Sequence, residues 1–138
     1  MPPDADIDAQ RAELVPKEFD SHTLILLRWA DHQPDLSEDV LDRLQVEHLR
    51  YLKERMDEGT LLANGPLRDQ TEPRFRGISI YALPLDQALA IANQDPMVRA
   101  GWFAIEGARW MLAKDSGWFG RPGVEAGVDS KSHHSSSR

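Results

Sequence analysis

The chain has 138 residues, 41% hydrophobic and 28% charged, with four Trp, four Phe and two Tyr. That is enough apolar surface for one core and too little length for two, so one domain is expected and disorder throughout is excluded. The 16 Lys and Arg against 23 Asp and Glu give a formal net charge of -7 with no basic stripe, so no nucleic-acid partner is expected. The absence of cysteine excludes a disulfide framework, a zinc ribbon and a thiol nucleophile, and leaves the redox compartment open.

Residues 1–21 are rich in Asp, Pro and Glu, precede any sustained apolar pattern and read as a flexible N-terminal arm. They contain no apolar stretch of signal-peptide length, and the run from Leu24 to Leu27 is too short to cross a bilayer. No membrane partner and a cytoplasmic location are therefore expected. Residues 22–120 hold the domain, and residues 121–138, rich in Gly, Ser and His, read as a disordered tail. His133 and His134 in that tail read as surface or appended residues rather than a metal site.

Residues 23–29 read as a strand apolar on both alternating faces, with Leu24 and Leu26 opposite Ile25, Leu27 and Trp29. Both faces need cover: a helix layer on one side, a second sheet or a partner on the other. After Pro34, Ser37 followed by Glu38 and Asp39 starts a helix that runs to Glu58 and stops at Gly59. Leu41, Leu44, His48, Leu52 and Met56 recur at three- and four-residue spacing, which turns His48 toward the apolar side.

Residues 61–64 form a short strand ended by Gly65 and Pro66, and residues 68–76 a polar loop before a strand over residues 77–83. Gly65 and Pro66 read as shaping a tight reversal, with the Gly65 amide able to approach an anionic ligand. Pro84 and Asp86 open a second helix through Asn93, with Leu85, Ala88, Leu89 and Ala92 as its apolar stripe. Asp95-Pro96 interrupts it, residues 97–100 make one turn before Gly101, and residues 102–112 form the last strand, with Gly107 as a bend or bulge. The order β-α-β-β-α-β is that of a ferredoxin-like α+β subunit, with two helices on one sheet face. The uncovered face leads to the expectation of a homodimer forming a dimeric α+β barrel.

The His48-Leu49 pair in a helix, the segment Leu62-Ala63-Asn64-Gly65-Pro66, and Asp95-Pro96 followed by Gly101, in this order over residues 21–117, resemble the YCII-related (YciI-like) domain family. The resemblance implies a ferredoxin-like subunit that dimerises through its sheet. It also implies a catalytic His and Asp lining a cleft, which would be His48 and Asp95. One branch of that family resembles enzymes removing chloride from chlorinated hydroxyhydroquinones. The arm and the tail depart from the family's compact pattern, and the charges of the loop with Asp69, Glu72, Arg74 and Arg76 can reshape the cleft entrance.

An imidazole takes up a proton near neutral pH, and a carboxylate orients the ring and stabilises its charged form. The expected function is a cofactor-independent lyase or isomerase acting on a small polar or aromatic metabolite. The alternative is a non-catalytic small-molecule-binding or dimeric interaction module. His48 can equally be a pocket residue or a hydrogen-bonded core histidine, and Asp95 before Pro96 can simply end a helix and bind turn amides. Two ligands do not make a metal centre, so no metal or cofactor is expected. His22 and His32 read as exposed. No glycine-rich phosphate loop or serine elbow is present, and the tryptophans and phenylalanines at positions 102, 103, 110, 118 and 119 read first as core or interface.

Overall fold

The structure is a computed structural model and describes residues 3–117. In chain order its elements are α1 (Pro3–Leu14), β1 (Phe19–Trp29), α2 (Glu38–Glu58), β2 (Leu61–Pro66), β3 (Gly77–Tyr81), α3 (Leu85–Ala92), α4 (Pro96–Arg99) and β4 (Phe103–Ala113). The four strands make one antiparallel sheet in the order β2-β3-β1-β4. β1 is central because its side chains are apolar on both faces and both its edges are paired. Leu27 faces Gly77 of β3 and Ile105 of β4; Trp29 faces Phe103.

Alternation sorts the sheet into two faces. Ile25, Leu27, Trp29, Phe103, Ile105, Ser79 and Tyr81 turn toward the helices, while Leu24, Leu26, Arg28, Ile78 and Glu106 turn away from them. The core lies under α3: Ile25, Leu61, Tyr81, Ala88 and Ala92 are buried together, with Leu52, Leu83, Leu89, Ile91 and Ile105 packed around them. Full burial of one such large apolar side chain contributes about 1.5–3 kcal/mol. The alanines of α3 let that helix lie close on the sheet.

α2 behaves differently. Ser37 caps it, its hydroxyl accepting the Val40 amide at 3.2 Å, and Gly59 ends it at φ 87°, a left-handed conformation that favours glycine. None of its residues is fully buried, although its apolar stripe faces the sheet. It stands off from β1, β3 and β4, and the space between them is a cleft.

The α+β class and the β-α-β-β-α-β order hold, with α1 and α4 as additional helices. The barrel does not: the sheet is open, with β2 and β4 as its unpaired edges. Four twisted strands of five to eleven residues leave those edges far apart, so closure into a barrel is corrected to an open sheet with helices on one face.

Several local boundaries also differ. β1 starts at Phe19, because Phe19 and Asp20 pair with Ala113 and Leu112. Residues of the arm form α1, whose described side chains are exposed. Gly107 is no bulge: β4 runs through it in register with Ile25. Gly65 and Pro66 stand inside β2, opposite Ile78 and Gly77, rather than in a reversal. An edge strand tolerates Pro66, which has no N–H to donate. The sheet's irregularity lies between Leu61 and Ala63 instead. The tail, with His133 and His134, and the aromatic residues at positions 118 and 119 lie outside the described residues.

Candidate functional site

A cleft of about 320 Å³ lies between α2 and the helix-bearing face of the sheet. His48 reaches it from α2, Asp95 from the start of α4, and Gly65 and Pro66 from β2. All four residues singled out in the sequence thus line one space. His22 and His32 are not among the lining residues.

The dyad has defined geometry. His48 Nδ1 lies 2.6 Å from Asp95 Oδ2, and the side chains are 13% and 6% exposed. Asp95 Oδ1 accepts the Met97 amide at 2.9 Å, so the carboxylate is also the N-cap of α4, with Pro96 in the first helical turn. Asp-Pro therefore places a carboxylate whose orientation the main chain holds. With Asp95 ionised, Nδ1–H donates to it and Nε2 is the nitrogen left for a ligand. The Phe103 ring meets the imidazole edge-on, with centroids 6.0 Å apart and planes at 66°.

Beneath the dyad, Tyr81 is 1% exposed. Burial, reinforced by the charges of Tyr51 and Asp95 and opposed by Arg55, pushes its hydroxyl up to about 12, so it stays a protonated donor across the neutral range. Tyr51 Oη donates to the Ile91 carbonyl at 2.8 Å, tying α2 to α3, and Arg55 lies over the Tyr51 ring at 4.3 Å.

At the other end of the wall, Arg76 lies over the Trp29 ring, 4.7 Å from its centre. Sequence reasoning placed Arg76 only among the loop charges at the cleft entrance, with no individual role, and placed Tyr81 in a strand without a site role. The period-two pattern Gly77, Ser79, Tyr81 would have put Tyr81 on the same face as Ile25; nothing local marks Arg76. Trp102 and Phe103 also line the cleft, whereas Trp110 belongs to the opposite face. Among the described residues, no group of three or more His, Cys, Asp or Glu could hold a metal, and no helix is long and apolar enough to cross a membrane.

A profile of the YCII-related domain family matches residues 25–107, more than half of the chain. The chain belongs to that family. No curated protein matches it. The matched span of this YCII-related domain contains His48, Gly65, Pro66 and Asp95 together with Arg76 and Tyr81, and leaves out α1, the N-terminal part of β1 and the C-terminal part of β4.

Proposed function

We propose that this YCII-related domain is a lyase or isomerase that moves a proton on a small polar or aromatic metabolite with no cofactor invoked. The observation that carries the reading is the 2.6 Å contact between His48 Nδ1 and Asp95 Oδ2 on a cleft wall. His48 takes the proton at Nε2 and returns it at another position of the substrate or to a leaving group. Asp95 holds the tautomer and stabilises the imidazolium. A metabolite screen comparing wild type, His48→Ala and Asp95→Asn tests it: the expected result is turnover in wild type alone, with both variants still binding. Unchanged turnover in His48→Ala overturns it.

A second reading, binding without turnover, is favoured by one observation: both Asp95 oxygens are engaged, one by Met97 and one by His48, as in a structural pair. His48→Gln separates the two, since it keeps hydrogen bonding and loses the titrating ring. A ligand that binds both proteins equally and is converted by neither supports the second reading.

The chain is further proposed to pair with a second copy through the helix-free face, where Leu24, Leu26 and Ile78 form an apolar strip beside the Arg28–Glu106 ion pair at 2.9 Å. Light scattering at micromolar concentrations is expected to give twice the chain mass, and Leu26→Glu a single mass. A monomer throughout overturns the pairing.

A further inference from the structure

We infer that the cleft selects planar small molecules bearing a carboxylate or similar oxyanion, seated on Arg76, with the rest of the molecule running along Trp29 and Phe103 toward His48. This rests on the reading of the cleft as a ligand site.

Among the described residues, Arg76 is the Lys or Arg of the cleft wall, and it has no carboxylate partner. Arg28 and Arg74 both reach Glu106, at 2.9 and 3.3 Å, and Arg55 reaches Glu58 at 2.9 Å. Among the described residues, no carboxylate lies within 4.0 Å of Arg76, and its buried Nε has no hydrogen-bond partner. A guanidinium cannot shed its proton, so its charge persists in a half-buried position. An anion in the cleft supplies the missing compensation, and the planar donor fork matches a carboxylate or phosphate better than a neutral oxygen.

The surroundings argue for a planar ligand. The Arg76 guanidinium carbon lies over the Trp29 ring, 4.7 Å from its centre, where the indole face attracts the cation. Trp29 pairs with Phe103 across β1 and β4, so both rings stand on the same face, and Phe103 in turn touches the His48 ring. The series Arg76, Trp29, Phe103, His48 is therefore a continuous path from a cation, over aromatic surface, to the proton-transfer pair. The other carboxylates on the wall do not neutralise Arg76: Asp95 is held by His48 and Met97, and Asp42 is exposed on α2. A dianion or a bulky polar chain would meet Asp42 and the apolar wall unfavourably. A small aromatic or unsaturated monoanion fits both ends.

The test titrates the full chain with para-hydroxybenzoate, its neutral analogue para-hydroxybenzamide, and phenyl phosphate. Calorimetry gives affinity, while nuclear magnetic resonance follows the Arg76 Nε–H and His48 ring signals. Wild type is expected to bind para-hydroxybenzoate about ten- to a hundredfold more tightly than the amide and more tightly than phenyl phosphate, which is mostly a dianion at neutral pH, and Arg76→Gln to lose that preference. Arg76→Lys, which keeps the charge and loses the fork, is expected to fall between them. The wild-type comparison decides even if a variant folds poorly. Equal affinity for acid and amide, no anion binding up to millimolar concentration, or a preference retained in folded Arg76→Gln overturns the inference. If both classes shift His48 equally, the cleft remains a ligand site and only the anion seat fails. If the anions shift Arg76 and leave His48 untouched, the anion seat stands, but the run toward His48 fails and the proton-transfer reading loses its support.

Discussion

Asp95 holds His48 with a carboxylate that is itself held: one oxygen lies 2.6 Å from Nδ1 and the other accepts the Met97 amide at 2.9 Å. The same side chain ends one segment, starts α4 and orients the imidazole. Positioning and folding are therefore coupled at this residue.

That coupling predicts different outcomes for two substitutions. Asp95→Ala removes the cap of α4 and leaves Nδ1 without its partner, costing about 1–3 kcal/mol. Asp95→Asn retains a capping oxygen and the side-chain volume, and is expected to cost under about 1 kcal/mol. Urea unfolding measures both. Equal losses would show that the cap contributes nothing.

Tyr81 predicts an alkaline dependence. Its folded value, pushed up to about 12 chiefly by burial, lies above the ordinary 10.0. As pH rises past that ordinary value, the unfolded chain loses the proton first, so the folded state binds more protons. The contribution is therefore fully present below about pH 10 and is lost as pH approaches 12, by roughly 2–3 kcal/mol at most. Unfolding curves over this range should fall more steeply for wild type than for Tyr81→Phe. Parallel curves would refute the shift.

Elements with strong local chemistry were legible in the sequence: Ser37 and Gly59 bracket α2 where capping rules place them, and the His48 stripe points at the sheet. Asp95 was legible only as a turn or a site, and the structure makes it a cap and a partner of His48 together, because Asp-Pro chemistry and the helix arrangement coincide there. What depended on distant partners was hidden. β1 begins at Phe19 because β4 extends to pair with it, which no pattern before Thr23 reveals. The stand-off of α2 that makes the cleft follows from three-dimensional packing, and Arg76 gains its place only from Trp29 on another strand. Closure into a barrel was inferred from a two-faced apolar strand, but such a strand requires cover and does not specify how the sheet ends.

Gly107 was read as a backbone feature and is a packing feature. A methyl group there would stand 3.0 Å from Leu85 Cδ1 and Leu89 Cδ2 and 3.1 Å from Ile25 Cδ1. These are ends of flexible side chains, so Gly107→Ala should cost about 1 kcal/mol or less. Gly107→Val, which adds branches to a filled space, should cost about 1–3 kcal/mol and lift α3 from the sheet. Thermal unfolding with amide exchange in α3 checks this; faster exchange confined to α2 would contradict it.

The neighbouring strands offer a sharper contrast between two glycines. At Gly77 a methyl carbon would lie 2.9 Å from the Gly65 carbonyl oxygen, and that obstacle is backbone, which can yield only by displacing β2. At Gly65 the same addition meets nothing within 4 Å, and its φ is not in the left-handed region. Gly65 pairs with Ile78, whose side chain belongs to the helix-free face, so an added methyl points away from the cleft and Gly65 lines it with backbone alone. Gly65→Ala is therefore expected to hold or raise stability by up to about 1 kcal/mol through the unfolded chain, and to leave binding of para-hydroxybenzoate unchanged. Gly77→Ala is expected to cost about 1–3 kcal/mol and to weaken that binding, because the displaced β2 carries Asn64, Gly65 and Pro66, all on the cleft wall. Paired unfolding and titration measurements decide: equal stability of the two variants would mean that β2 and β3 are not as closely apposed as the pairing of Pro66 with Gly77 requires.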